Sequence, residues 1–239
     1  MTLTTNLIFN LYAASILIVL LIQQHRQHDR KAVQFKLFVA MSGVAMFLLF
    51  VDILSRLDGL SPAWFATANR LGNFAVFIAN PILPSLWLIF VYDQINSNPL
   101  KLRRVIVRLC LLHLAFITIF LVGNSSGLFY TISEGNIYQR GPMYMLLVVW
   151  TLTLILASEL IIVFCHSKIE RKHQFAMLFF PIPPIIGIII QVAVYGVSLM
   201  LPATVISLLV MFLNMQNRHM SIDYLTGVNN RKKLDEVLL

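Results

Sequence analysis

Long apolar runs alternate with short polar segments along this chain, and the alternation predicts its architecture. A helix needs about 20 apolar residues to cross a bilayer. The pattern predicts seven such spans, at residues 4–23, 35–55, 71–92, 105–123, 143–165, 175–196 and 199–216. The last two spans are separated by an argument from length. Residues 174–217 contain no Asp, Glu, Lys or Arg, and as one helix they would measure about 66 Å. The hydrocarbon core of a bilayer is only about 30 Å thick, so the chain must turn back once. We place the turn near Gly196 and Pro202, because Gly and Pro interrupt helices.

The basic residues orient the spans. Of the 18 Lys and Arg residues, only Arg56, Arg70 and Arg140 fall on one side of the predicted bundle. Cytoplasmic loops carry an excess of Lys and Arg, so the other side is the cytoplasm. The sequence therefore predicts an all-α, multi-pass protein of the cell (inner or plasma) membrane: a seven-transmembrane helix bundle with its N-terminus outside and its C-terminus cytoplasmic.

The composition narrows the function classes. Hydrophobic residues make up 59% of the chain and charged residues 12%, whereas soluble domains carry about 25% charged residues. The net charge of +8 lies in short patches between apolar runs, as membrane topology requires. We therefore predict the lipid bilayer and no nucleic acid as a partner. The spacing of His and Cys predicts no metal site.

Polar and aromatic residues gather at the outer ends of several predicted spans. Aromatic walls with a few polar groups are typical of small-molecule sites, and arginines suit an anionic or carboxylate ligand. Alternatively, Asp52 and Arg56 pair with each other at i,i+4, and the other arginines reach toward lipid headgroups. The first hypothesis predicts a ligand site formed by Asp52, Arg56, Arg70, Asn73, Tyr138, Arg140, Tyr144, Trp150, Gln191 and Tyr195.

Two ionisable residues lie deeper in the membrane. Glu159 and His113 both fall about 10–12 Å from the inner ends of their spans. They could form a proton-sensitive pair, or each could bond to a backbone carbonyl or a hydroxyl of the bundle. Prolines also interrupt two spans and serve either as hinges or as fixed kinks; they are Pro81 and Pro84 in span three and Pro181, Pro183 and Pro184 in span six.

The segment DYLTGVNNR follows the last span, and the chain ends at Leu239. It resembles the entry to the GGDEF family of diguanylate cyclases. The resemblance implies a sensory domain over residues 1–216, a short helical linker over 217–222 and the opening of an output domain over 223–239. Mg²⁺, GTP and cyclic di-GMP would concern only the missing part of that output, so no catalytic residue and no cofactor is assigned to this chain. The matching signature residues are Asp223, Leu225, Thr226, Gly227, Asn230 and Arg231.

A second, looser resemblance covers most of the chain. The segment NIYQRGP, the PIPP motif of span six and the short seventh span resemble seven-span sensor regions of bacterial GGDEF proteins and of some histidine kinases. We therefore predict a receptor region that perceives a small-molecule or membrane signal, works as a homodimer and regulates a diguanylate cyclase. The alternatives are a sensor with a histidine-kinase output or a small transporter.

Overall fold

The computed structural model describes residues 3–25, 33–96, 98–169, 171–194 and 197–219, and these residues form a helix bundle with one short hairpin. Apolar runs become helices because a helix satisfies its own backbone hydrogen bonds in a medium without water. The helices are α1 (Leu3–His25), α2 (Val33–Leu54), α3 (Trp64–Ala79), α4 (Ile82–Ile95), α5 (Pro99–Ser125), α6 (Tyr144–Phe164), α7 (Arg171–Phe179), α8 (Ile182–Ala193) and α9 (Met200–His219).

The seven predicted spans are confirmed. Six helical stretches of the described chain are long and apolar enough to cross a membrane, and the shorter apolar helix Met200–Gln216 adds the seventh. The third stretch runs from Trp64 to Ile95 and joins α3 to α4, so it begins earlier than predicted. The sixth joins α7 to α8, and the chain reverses before α9 as the length argument requires.

Prolines interrupt the third and sixth spans, as expected. Pro81 and Pro181 each precede the second helix of their span. Proline has no N–H, so the carbonyl four residues earlier loses its helical partner. At Pro184 that carbonyl belongs to Phe180, and it accepts a 2.6 Å hydrogen bond from the Ser207 hydroxyl on α9. A neighbouring helix thus replaces the bond that proline removes.

Helix α2 packs against α1, α3, α4 and α9, whereas α5 contacts mainly α4 and α3. The largest buried side chains of the main core include Leu17, Phe38 and Trp87. Glycine permits the closest approach of α8 to α9: a Cβ added at Gly187 would lie 2.7 Å from the Met200 Cα.

The outer connection between α5 and α6 contains a β-hairpin that the sequence analysis did not predict. Its strands are β1 (Tyr130–Ile132) and β2 (Tyr138–Arg140), which pair antiparallel. Asn136 adopts a left-handed backbone with φ 58° in the connection between the strands, a conformation that Asn tolerates better than most residues. The hairpin lies over the outer end of the bundle and carries Arg140 toward α8.

Candidate ligand-binding site

A cavity of about 70 Å³ lies in the outer half of the bundle. Its wall is built by α3, β2, α6, α8 and the first residue of α9. The α6 side chains that reach it recur at i, i+3, i+4 and i+7, so they share one face of that helix. The lining residues are Asn73, Val76, Phe77, Asn80, Tyr138, Arg140, Tyr144, Leu147, Val148, Thr151, Ile188, Gln191, Val192 and Met200.

Arg140 joins the hairpin to the end of α8. Its Nη2 donates to the Gln191 carbonyl at 2.9 Å, and its Nη1 donates to the Val192 carbonyl at 3.5 Å. The guanidinium carbon also lies 4.6 Å from the centre of the Tyr144 ring. The carbonyl end of a helix carries partial negative charge, and an aromatic face attracts a cation. The guanidinium is therefore held against the cavity wall by three groups.

Two polar atoms of the cavity wall have no hydrogen-bond partner among the residues that the structure describes. Thr151 is only 2% exposed, and its hydroxyl makes no hydrogen bond in the described structure. The Gln191 Oε1 is likewise buried without a partner. A buried polar atom without a partner costs free energy. These two atoms are therefore available to a molecule that enters the cavity.

A smaller cavity of about 20 Å³ adjoins the first and extends toward the middle of the membrane. Thr151, Ile188 and Met200 line both cavities. The remaining walls are almost entirely apolar and include the prolines of both interrupted spans. These other lining residues are Leu83, Pro84, Trp87, Ile155, Phe180, Pro181, Pro184 and Thr204.

The cavity brings together half of the ten residues predicted for the ligand site. They come from α3, the hairpin, α6 and α8, so residues far apart in sequence meet at one place. Tyr195 lies outside the described residues. The five that line the cavity are Asn73, Tyr138, Arg140, Tyr144 and Gln191.

Asp52 and Arg56, which the sequence analysis grouped with these residues, lie outside the cavity wall. The Asp52 carboxylate is 4% exposed and accepts hydrogen bonds from Asn6 at 3.2 Å, Asn10 at 2.8 Å and Ser198 at 2.9 Å. The Arg56 Nε is 3.7 Å from the same carboxylate, as the pairing alternative proposed. Asp52 thus ties α1 and the segment before α9 to α2, because a buried carboxylate must be hydrogen-bonded.

Arg70 and Trp150 also lie outside the cavity wall. The Arg70 side chain is exposed, and its carbonyl accepts a 3.5 Å hydrogen bond from the Tyr130 hydroxyl. Burial raises the pKa of Tyr130, and the nearby Arg70 charge opposes that rise. Trp150 stacks on Phe116 with 6.2 Å between ring centres, so it belongs to the aromatic packing behind the cavity.

A network of amides fixes the hairpin to the bundle. We call Asp58, Asn69, Asn73 and Asn136 the amide clasp. Asn69 donates to Asp58 at 2.7 Å and to Asn136 at 2.9 Å, and it accepts from Asn73 at 2.7 Å. Asn136 donates to the Leu57 carbonyl at 2.5 Å. The clasp therefore holds one side of the cavity in place.

The predicted pair of His113 and Glu159 is not formed. The His113 Nε2 lies 3.3 Å from the Ile78 carbonyl, to which it donates. That carbonyl is in the last turn of α3, where helical carbonyls lack N–H partners, and this contact is of the kind that the backbone alternative described. Glu159 is partly buried, and its Oε1 has no hydrogen-bond partner among the described residues.

Sequence reasoning missed Thr151, Asn80 and Met200 as cavity residues. A signal for Thr151 was present: it lies seven residues after Tyr144 on the same helical face, and that spacing brings two side chains together. No comparable signal marked Met200, because its place depends on how α9 packs against α8. The clasp was missed for a similar reason, because Asn136 reaches Asn69 only through a hairpin that the sequence analysis did not predict.

The fold and cavity define a class of protein: a seven-span membrane bundle with a ligand-sized space near its outer surface. A comparison with known families places the chain in one of them. The family described as the N-terminal 7TM region of histidine kinase matches residues 7–221. The chain belongs to this family of sensor regions and is a multi-pass membrane protein. No curated protein and no solved structure matches the chain.

The family match corrects the predicted output. It contradicts the regulation of a diguanylate cyclase and supports the alternative, a sensor of the histidine-kinase type. The signature from Asp223 to Arg231 lies beyond the matched residues and outside the described ones. The homodimer and the domain boundaries at 216 and 222 stay predictions, and α9 continues as a helix across the first of these boundaries to His219.

Proposed function

We propose that this chain is the membrane input region of a signalling protein with a histidine-kinase output, and that a small molecule in the outer cavity is its signal. The family match over residues 7–221 supports the class of output. The cavity supports the kind of signal, because a few polar groups set in an apolar and aromatic wall are typical of small-molecule sites.

One observation carries the proposal: the cavity touches the first residue of the helix that leads to the cytoplasmic side. Met200 lines the cavity and begins α9. That helix is unbroken for 20 residues, a length of about 30 Å. A ligand that moves the outer end of α9 therefore acts on the chain that leaves the membrane toward the output.

Cavity-filling substitution tests the proposal without a known ligand. Val148→Phe adds volume to the cavity wall, whereas Val149→Phe adds the same volume to a lipid-facing position that is 57% exposed. Histidine phosphorylation, detected as acid-labile phosphate, is measured on the full-length protein in proteoliposomes. We expect the first variant to change the rate of this phosphorylation. The second variant should behave as wild type, because its ring enters lipid.

Two results would contradict the proposal, each in a different part. If the intact protein acquires no acid-labile phosphate from ATP, the histidine-kinase output is refuted. If phosphorylation occurs but Val148→Phe and Val149→Phe have the same rate as wild type, the cavity does not control the output. Circular dichroism and thermal unfolding of both variants show whether the bundle remains folded.

A further inference from the structure

The charge balance of the cavity limits the ligand that it can hold. Arg140 is the only charged residue among the described residues of the cavity wall. Its guanidinium already faces the Gln191 and Val192 carbonyls and the Tyr144 ring. A carboxylate ligand would compete with these partners, and an ammonium ligand would meet no carboxylate in the described wall. Only the ammonium would lose its hydration without any counter-charge, which is costly. The carboxylate would face Arg140, but in competition with the two carbonyls and the ring that already hold the guanidinium.

A neutral polar group would satisfy the unpaired polar atoms of the cavity wall. The Thr151 hydroxyl can donate and accept a hydrogen bond, and the Gln191 Oε1 can accept one. Both atoms are buried without a partner in the described part of the chain, and only 2% of Thr151 is exposed. A ligand head that carries both a donor and an acceptor, such as an amide or a hydroxyl beside a carbonyl, would satisfy both atoms.

The second cavity gives the ligand an apolar end. The two spaces hold about 70 and 20 Å³, and on this measure one water needs about 10–15 Å³. Together they suit a molecule of about six to nine non-hydrogen atoms. Its apolar end would lie beside Pro84 and Pro184, which both line the smaller cavity.

From these three observations we infer that the ligand is a small uncharged molecule with a hydrogen-bonding head and a short aliphatic tail. The head lies between Thr151 and Gln191, and the tail lies among the prolines of the interrupted spans. This inference rests on the proposed function, since it names the ligand class of the same cavity. It differs from the anionic ligand that the arginines alone had led us to expect.

Three probes of nearly equal size test the ligand class: butyramide, butyrate and butylammonium. They differ chiefly in the charge of the head. Saturation-transfer NMR on the full 239-residue chain in lipid nanodiscs measures their binding, and empty nanodiscs correct for partition into lipid. We expect butyramide to bind more tightly than either charged probe.

A matched pair of variants ties the binding to the cavity. Thr151→Val removes the unpaired hydroxyl and keeps the side-chain shape. Thr153→Val makes the same change on the same helix, at an exposed hydroxyl that bonds to the Val149 carbonyl at 2.8 Å. We expect Thr151→Val to weaken butyramide binding roughly 2- to 12-fold, the range for one neutral hydrogen bond. Thr153→Val should bind butyramide as wild type does.

Gln191→Leu supplies a second, independent variant and should weaken butyramide binding to a similar extent. The inference is overturned if butyrate binds more tightly than butyramide, or if Thr151→Val and Gln191→Leu both bind butyramide as wild type does. It is also overturned if none of the three probes binds above the empty nanodiscs. None of these results decides the proposed function, which the phosphorylation of Val148→Phe against Val149→Phe tests separately.

Discussion

The amide clasp and the cavity wall both place buried polar groups in the outer half of the bundle, but they use them differently. In the clasp, Asn69 is fully buried and both ends of its amide are hydrogen-bonded. In the cavity wall, Thr151 is almost as buried and its hydroxyl has no partner. Burial of a polar residue therefore does not separate a structural role from a binding role. What distinguishes Thr151 is that it combines an unpaired hydroxyl with a place in the cavity wall.

The largest effect is expected from Asn136→Ala, which breaks the clasp. The substitution removes the bonds to the Leu57 carbonyl and from Asn69. It also places Ala in a left-handed backbone, so we expect a loss of about 2–4 kcal/mol in the free energy of unfolding. Asn136→Gly tolerates that backbone and isolates the loss of the amide. Thermal and denaturant unfolding in nanodiscs measures the stability of both variants. If Asn136→Ala were as stable as wild type, the structural role of the clasp would be disproved.

Gly187→Ala comes next, because it separates the two helices that form one side of the cavity. The new Cβ would lie 2.9 Å from the Met200 backbone N and 2.7 Å from its Cα. Overpacking of this kind costs about 1–3 kcal/mol. Gly43→Ala is the control, because a Cβ at that position meets nothing within 4 Å. Equal unfolding midpoints for the two variants would show that α8 and α9 do not pack this closely.

Ser207→Ala measures the value of a buried hydroxyl that does have a partner. Ser207 is 1% exposed and donates to the Phe180 carbonyl at 2.6 Å. Hydrogen bonds between membrane helices contribute about 0.6 kcal/mol on average and up to about 1.7, so we expect a loss of about 1 kcal/mol. The readout is the unfolding midpoint. A variant as stable as wild type would argue against the bridge between α9 and the interrupted span.

Thr151→Val should have the smallest effect on stability. Its hydroxyl makes no hydrogen bond in the described structure, so the substitution removes no interaction from the empty bundle. We expect a change below about 0.5 kcal/mol, or a slight gain, since an unpaired buried polar group is costly. A loss as large as that of Ser207→Ala would mean that the hydroxyl has a structural partner, and the comparison between clasp and cavity would fail.

The spans could be predicted from sequence because bilayer thickness fixes the length of an apolar helix. The turn before Met200 followed from the same argument. The partners of individual side chains could not, because they depend on which helices become neighbours. Asp52 has Arg56 one turn away in the sequence, yet its closest partners are Asn10 at 2.8 Å and Ser198 at 2.9 Å. Long-range packing, and not local spacing, decided its role.

The candidate site was predicted in part for a related reason. Outer aromatic and polar residues such as Tyr144 and Arg140 stand out in apolar sequence, and they do line the cavity. A single hydroxyl such as Thr151 does not stand out among apolar residues. The output was predicted wrongly because a nine-residue segment was weighted above the pattern of the whole membrane region, which the family match covers from residue 7 to 221.

The two interrupted spans have a mechanical consequence. At each break a side chain from another helix holds a carbonyl: His113 of α5 holds Ile78, and Ser207 of α9 holds Phe180. Neither joint can bend without pulling on that neighbour or rupturing the link. Bending of the third span would therefore pull on the peripheral, lipid-facing α5. Bending of the sixth span would pull on α9. One bundle thus links its two interrupted spans to two different neighbours, one at the lipid boundary and one that runs to the cytoplasmic side.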